Sequence, residues 1–253
     1  MTPIDLQLEL TAPGQLGLDE PLVTVARLSN RGARPLTTSS RLNLVEGDLW
    51  VVVSGPGQQP HRSTWPYPVD SGLRQVILDP GEFIEGGVLL LVGPGREAMF
   101  PVPGVYSIAA EFSPTPTEVV RSDPLTVLRQ EPADPDRRAT ARLLVDPEVA
   151  TGLVAAPIVE RFPGAPEATA EASPTIRLLA ALAGEDLDEV QGAAAAVADR
   201  AGPVTAAATA VSVMPAGLIP GDERLSAVGA ALAGRADDHG RVTALLSEQP
   251  WRP

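Results

Sequence analysis

Phe100-Pro-Val-Pro-Gly-Val-Tyr-Ser-Ile-Ala-Ala-Glu-Phe112 is the stretch that decides the fold. Pro103-Gly104 is a turn signal. After it, Tyr106, Ile108, Ala110 and Phe112 alternate with Ser107, Ala109 and Glu111. A period of two with one apolar face predicts a half-buried β-strand.

Working outward, the same pattern recurs. Ile4, Leu6, Leu8 and Leu10 alternate with Asp5, Gln7 and Glu9 and predict an opening strand, ended by Pro13-Gly14. Residues 22–29 predict a second, although its buried face is ambiguous: Leu22, Ala26 and Leu28 compete with Val23 and Val25. Further strands are expected over 41–45, 49–54, 73–78, 86–92, 106–112 and 119–128, with Pro124 at a bulge or edge. Gly55-Pro56-Gly57, Asp79-Pro80-Gly81 and Gly93-Pro94-Gly95 punctuate them. About eight short strands with turn signals at this spacing predict a β-sandwich.

Four segments then carry a resemblance: residues 23–32 (VTVARLSNRG), 78–82 (LDPGE), 103–106 (PGVY) and 122–127 (SDPLTV). Residues 4–128 resemble bacterial immunoglobulin-like domains of the adhesin and CARDB type. The resemblance implies that Tyr106 forms a tyrosine corner and that Trp50 is the buried core Trp. It also places Ile108 where disulfide-bearing relatives carry a Cys, implying a sandwich held by packing alone. Burying such a side chain contributes about 1.5–3 kcal/mol, against about 2–4 kcal/mol for a disulfide.

Past Leu128 the period changes. Residues 129–136 are polar and broken by Pro132 and Pro135, as a linker is. The sequence thus divides into a sandwich over 1–128 and an all-α, Ala-rich region over 137–253. Asp146-Pro147 and Ser173-Pro174 are cap-plus-proline helix starts. Helical stripes follow at Ile176, Leu179 and Leu182, and at Leu187, Val190, Ala194 and Val197. Further helices are expected over 204–213, around Leu225, Val228 and Leu232 after Asp222, and around Val242, Leu245 and Leu246. Ala180-Ala-Leu-Ala-Gly184 recurs as Ala230-Ala-Leu-Ala-Gly234, an echo of two helical hairpins or a coincidence of Ala-rich sequence. Residues 162–173 offer little to bury and are expected to be mobile. The small Ala faces predict close, shallow helix packing that leans on the sandwich or on a partner.

Composition narrows the function. The 253 residues carry a net charge of −13, and all 19 basic residues are Arg, in line with a GC-rich bacterial coding background. Without clustered cations, nucleic acid and anionic lipid are poor partners. There is no Cys, so no disulfide, thiolate metal site or Cys nucleophile is expected. Apolar runs such as 88–92 are too short to span a bilayer. Met1-Thr2-Pro3 leads directly into a strand, and a cytoplasmic protein is expected unless a leader was removed.

A search for chemistry yields no catalytic, cofactor or metal residue. His61 and His239 are the two imidazoles, and no zinc-helix, nucleophile-elbow or phosphate-loop motif occurs. Asp237-Asp238-His239 reads as a solvated acidic turn. The Pro-rich segment 58–69 reads instead as a long loop carrying His61, Arg62, Trp65 and Tyr67. Trp, Tyr and Arg are favoured interface anchors, so these four are the candidate partner-binding residues. The competing reading has Trp65 and Tyr67 fold back over the open end of the core. The expected function is a non-catalytic interaction or adaptor module. Its alternatives are an assembly subunit oligomerising through the helices, and an enzyme whose site converges only in three dimensions.

Overall fold

β1 (Leu6–Thr11) opens the chain, followed by β2 (Gln15–Gly17), β3 (Leu22–Asn30), β4 (Leu36–Ser39), β5 (Leu49–Ser54), β6 (His61–Ser63), β7 (Gln75–Leu78) and β8 (Phe83–Leu90). β9 (Gly104–Thr115), β10 (Glu118–Arg121) and β11 (Leu125–Gln130) complete the β-rich half. The computed structural model describes residues 5–67, 69, 72–115, 117–159, 172–235 and 238–251. The stretch expected to be mobile lies outside the described residues as far as position 171.

The described strands form three sheets. One is three-stranded, β1-β3-β8, and one is six-stranded, β2-β11-β9-β5-β6 with β10 also on β9. β4 and β7 pair as a small third. Leu22, Leu28, Val88, Leu49, Val51, Ile108 and Phe112 interdigitate between the two larger sheets. Within this core the Tyr106 hydroxyl donates to the Val102 carbonyl at 2.8 Å, and the Phe100 ring meets Tyr106 edge-on at 4.9 Å. Arg129 of β11 turns inward beneath Phe100, where burial pulls its guanidinium down to about 10.

Among the described residues the helices are α1 (Pro135–Leu144), α2 (Pro147–Ala155), α3 (Pro174–Ala183), α4 (Leu187–Ala201), α5 (Pro203–Val213), α6 (Glu223–Leu232) and α7 (His239–Ser247). Asp134, Asp146, Ser173, Asp186 and Asp222 accept from first-turn amides, satisfying donors that a helix start leaves open. α5 is buried from Ala206 to Val213 on every side, as a helix without a polar face must be. It lies on β3 and β8, wrapped by α3, α4, α6 and α7.

The architecture is therefore three layers: six-stranded sheet, three-stranded sheet, helices. The middle sheet resolves the ambiguity in residues 22–29. Leu22, Ala26 and Leu28 enter the core between the sheets, while Val23 and Val25 enter the core beneath the helices. β8 is buried on both faces as well, with Ile84 and Val88 on one side and Leu89 on the other. Two adjacent glycines allow this. A methyl on Gly86 would overlap the Leu42 carbonyl, and one on Gly87 would overlap the Ala208 carbonyl of α5. Polar ties cross the joint: Arg241 to Glu85 at 2.6 and 2.8 Å, Arg74 to Glu248 at 3.0 Å, and a backbone bridge between Trp251 and Phe83.

Several expectations are corrected. Residues 41–45 are not a strand. The Asn43 side chain accepts from the Glu46 amide at 3.1 Å and donates to its carboxylate at 2.7 Å, a local turn that competes with strand pairing. The strand expected over 86–92 starts at Phe83 and ends at Leu90, and the one over 119–128 is broken into β10 and β11 around Asp123-Pro124. The Pro-rich loop contains a strand, β6, paired with β5. Trp50 is not a core residue. Leu49, Val51 and Val53 take the inward positions of β5, so alternation turns the indole outward.

Candidate functional site

Glu111 sits on the outward face of β9, near the middle of the six-stranded sheet. Cross-strand register builds a cluster around it. Trp50 of β5 lies opposite Glu111 on one side, and Arg121 of β10 lies opposite it on the other. Arg62 of β6 stands opposite Val52, which makes it the diagonal neighbour of Trp50. Pairs at these positions on one face of a sheet are within side-chain reach.

The contacts follow from that register. The Trp50 indole N–H donates to Glu111. Arg62 Nη2 reaches the same carboxylate oxygen at 2.7 Å, and its guanidinium lies 4.6 Å from the centre of the Trp50 ring. Arg121 Nε takes the other oxygen at 2.8 Å. The hydrogen bond from Arg121, reinforced by the indole and by both positive charges, holds the Glu111 carboxyl below its ordinary range against the opposing effect of burial. The result is a fixed aromatic and guanidinium surface anchored on one carboxylate. Val105 of β9 and Val119 of β10 are exposed on the same side of their strands.

The four residues singled out in the sequence are not brought together. Arg62 belongs to the cluster. His61 precedes it with its ring turned the other way, Nδ1 3.2 Å from the Gln59 carbonyl oxygen. Trp65 is 9% exposed and belongs to the core shared with the helices. Its indole is thus not presented to a partner. Tyr67 packs at the margin of that core, with Arg96 5.2 Å over its ring. Trp50, Glu111 and Arg121 carry no motif that marks them as site residues in the sequence. Parity was the available signal: Trp50 shares its face with Val52 and Ser54, and Glu111 lies on the face opposite Tyr106.

Among the described residues, no group of three or more His, Cys, Asp or Glu is placed to hold a metal. Asp237 lies outside the described residues, while Asp238 and His239 open α7. No described helix is long and apolar enough to cross a membrane.

No protein-family model matches the chain, and no curated protein matches it. Solved structures resemble about half of it. The CARDB domain of a Pyrococcus furiosus protein, in complex with di-metal ions, is similar at 16% identity and a TM-score of 0.28, over 50% of this chain and 88% of that one. A β-glucosidase from Listeria innocua in complex with glucose is similar at 16% identity and a TM-score of 0.29, over 49% of this chain. A β-glucosidase from Erythrobacter marinus gives 16% identity and a TM-score of 0.28, also over 49% of this chain. The chain spans only 16% and 15% of these two glucosidases. Likenesses of this strength say nothing about activity.

Proposed function

We propose that this chain is a non-catalytic protein-interaction module that docks a partner on the outward face of its six-stranded sheet, around Trp50. The observation that carries the reading is the cluster of Trp50, Arg62, Glu111 and Arg121. Trp and Arg dominate the energetics of interfaces. Here a single carboxylate holds them in place, which lowers the ordering cost of association. β3 and β8 of the three-stranded sheet are covered on both faces, so the outward face of the six-stranded sheet is the broad β surface that remains to be offered.

The chemistry of the partner follows from charge. Two guanidiniums share one carboxylate and leave a local excess of one positive charge, in a chain whose net charge is −13. An apolar patch flanked by an acidic side chain complements that surface, and the charge selects against basic partners. The bond from Tyr106 to Val102 has the form of a tyrosine corner. It supports an immunoglobulin-like reading of the two β layers, a scaffold whose function lies in its surfaces.

The test is affinity purification from the source cells with the whole chain and with its Trp50→Ala and Arg121→Ala variants. Both side chains lie on the outer face, so the fold, checked by circular dichroism, is retained. The expected result is a partner that the unaltered chain retains and both variants lose. Equal recovery of the same proteins by all three would remove this face from the account.

A further inference from the structure

The helices rest on β3 and β8 and leave a cleft of about 540 Å³ along the rim of the middle sheet. That volume is within the range of small-molecule sites, about 300–1,000 Å³. Val23 and Val25 form its floor, both from the helix-facing side of β3. Leu16 from β2 and Val204 from α5 add apolar wall. Gln7, Glu9 and Thr11, on the same side of the neighbouring β1, are polar and partly or fully exposed, so the apolar floor is bounded at this rim.

Two guanidiniums line the cleft. Arg200, at the end of α4, gives one Nη2 contact to Glu20 and leaves the rest of its five-donor fork uncommitted to any side chain. Arg241 of α7 is fixed by Glu85 through Nε and Nη2, leaving Nη1 available. Both forks are positioned by partners and retain donors. Glu20 and Glu85 balance the two charges, so what the cleft offers a ligand is the unused N–H donors of two guanidiniums already held in place.

We propose that this cleft binds a small aliphatic monocarboxylate, its chain on Val23 and Val25 and its carboxylate on Arg200. Charge-assisted N–H···O bonds recognise the head group, and the apolar floor removes the chain from water. The site lies on the opposite side of the β layers from Trp50 and is independent of the partner-docking reading.

The experiment is isothermal titration calorimetry of the full chain at neutral pH with octanoate, octan-1-ol and octylammonium. Octanoate is expected to bind at least roughly tenfold more tightly than either of the others. Arg200→Gln is expected to bring octanoate to the level of octan-1-ol, and Val204→Trp to weaken both by filling the cleft. Trp50→Ala should change nothing. Thermal unfolding verifies that each variant is folded, and Thr205→Phe, which also narrows the cleft, replaces Val204→Trp if that variant is not. No binding of octanoate, equal affinity for the three probes, or an Arg200→Gln variant that binds octanoate as the unaltered chain does would each overturn the proposal.

Discussion

Tyr106 joins two energetic roles in one side chain. Its ring is fully buried between the sheets, and its hydroxyl fixes the entry of β9 by donating to Val102. Tyr106→Phe keeps the ring and removes the bond, and is expected to cost about 1 kcal/mol in urea unfolding near neutral pH. Burial also pushes the phenol above its ordinary value, opposed by the Arg129 charge. A raised folded-state value means that the unfolded chain loses this proton first. The contribution is therefore intact below about pH 10 and is lost as pH rises further. The Tyr106→Phe variant should lack that alkaline loss, so the two stability curves converge above pH 10. The tryptophans carry a separate lesson at this scale. Trp50 looks like core and Trp65 like loop, yet the structure reverses them. Parity along β5 reports Trp50. Nothing local reports Trp65, because the core it joins is closed by helices that begin only at Pro135, far along the chain.

Among elements, β8 shows how a strand can be hard to place. Its paired glycines look like a strand beginning or a turn, and residues 86–92 are the natural reading. In three dimensions they are the middle of the strand, where Leu42 approaches one face and Ala208 the other. Gly87→Ala should force α5 away from the sheet and cost at least about 1–3 kcal/mol, the range for overpacking. Gly192→Ala is the contrast. It is exposed within α4 with nothing near its added methyl, so it should stabilise by about 1 kcal/mol. Thermal unfolding of the two variants should show shifts of opposite sign. The helices were the legible part: their caps, prolines and stripes depend only on neighbours a turn away, and α2 to α7 lie where those signals fall, while α1 opens at Pro135, within the stretch read as a linker. Residues 22–29 were unreadable for a physical reason. A strand covered on both sides has no polar face, so alternation offers nothing to choose between.

For the whole molecule, the same strand means that the β-rich half is not a finished object. Val23, Val25, Leu89, Leu91 and Trp65 lie beneath the helices, and removing residues 131–253 would lay them open together. A fragment covering residues 1–130 is expected to bind an apolar dye and to associate in light scattering, whereas the full chain should do neither. A monomeric fragment that does not bind the dye would show that the helices are dispensable cover.

This order of parts has a consequence during synthesis. At about 5–20 residues per second, roughly 80 residues of translation separate the last strand from the end of α5. The nascent sheets therefore wait some seconds on the ribosome with an oily flank unclothed. Fast expression without added chaperones is therefore expected to put more of the chain into inclusion bodies than slow expression does, and equal soluble yields would count against this.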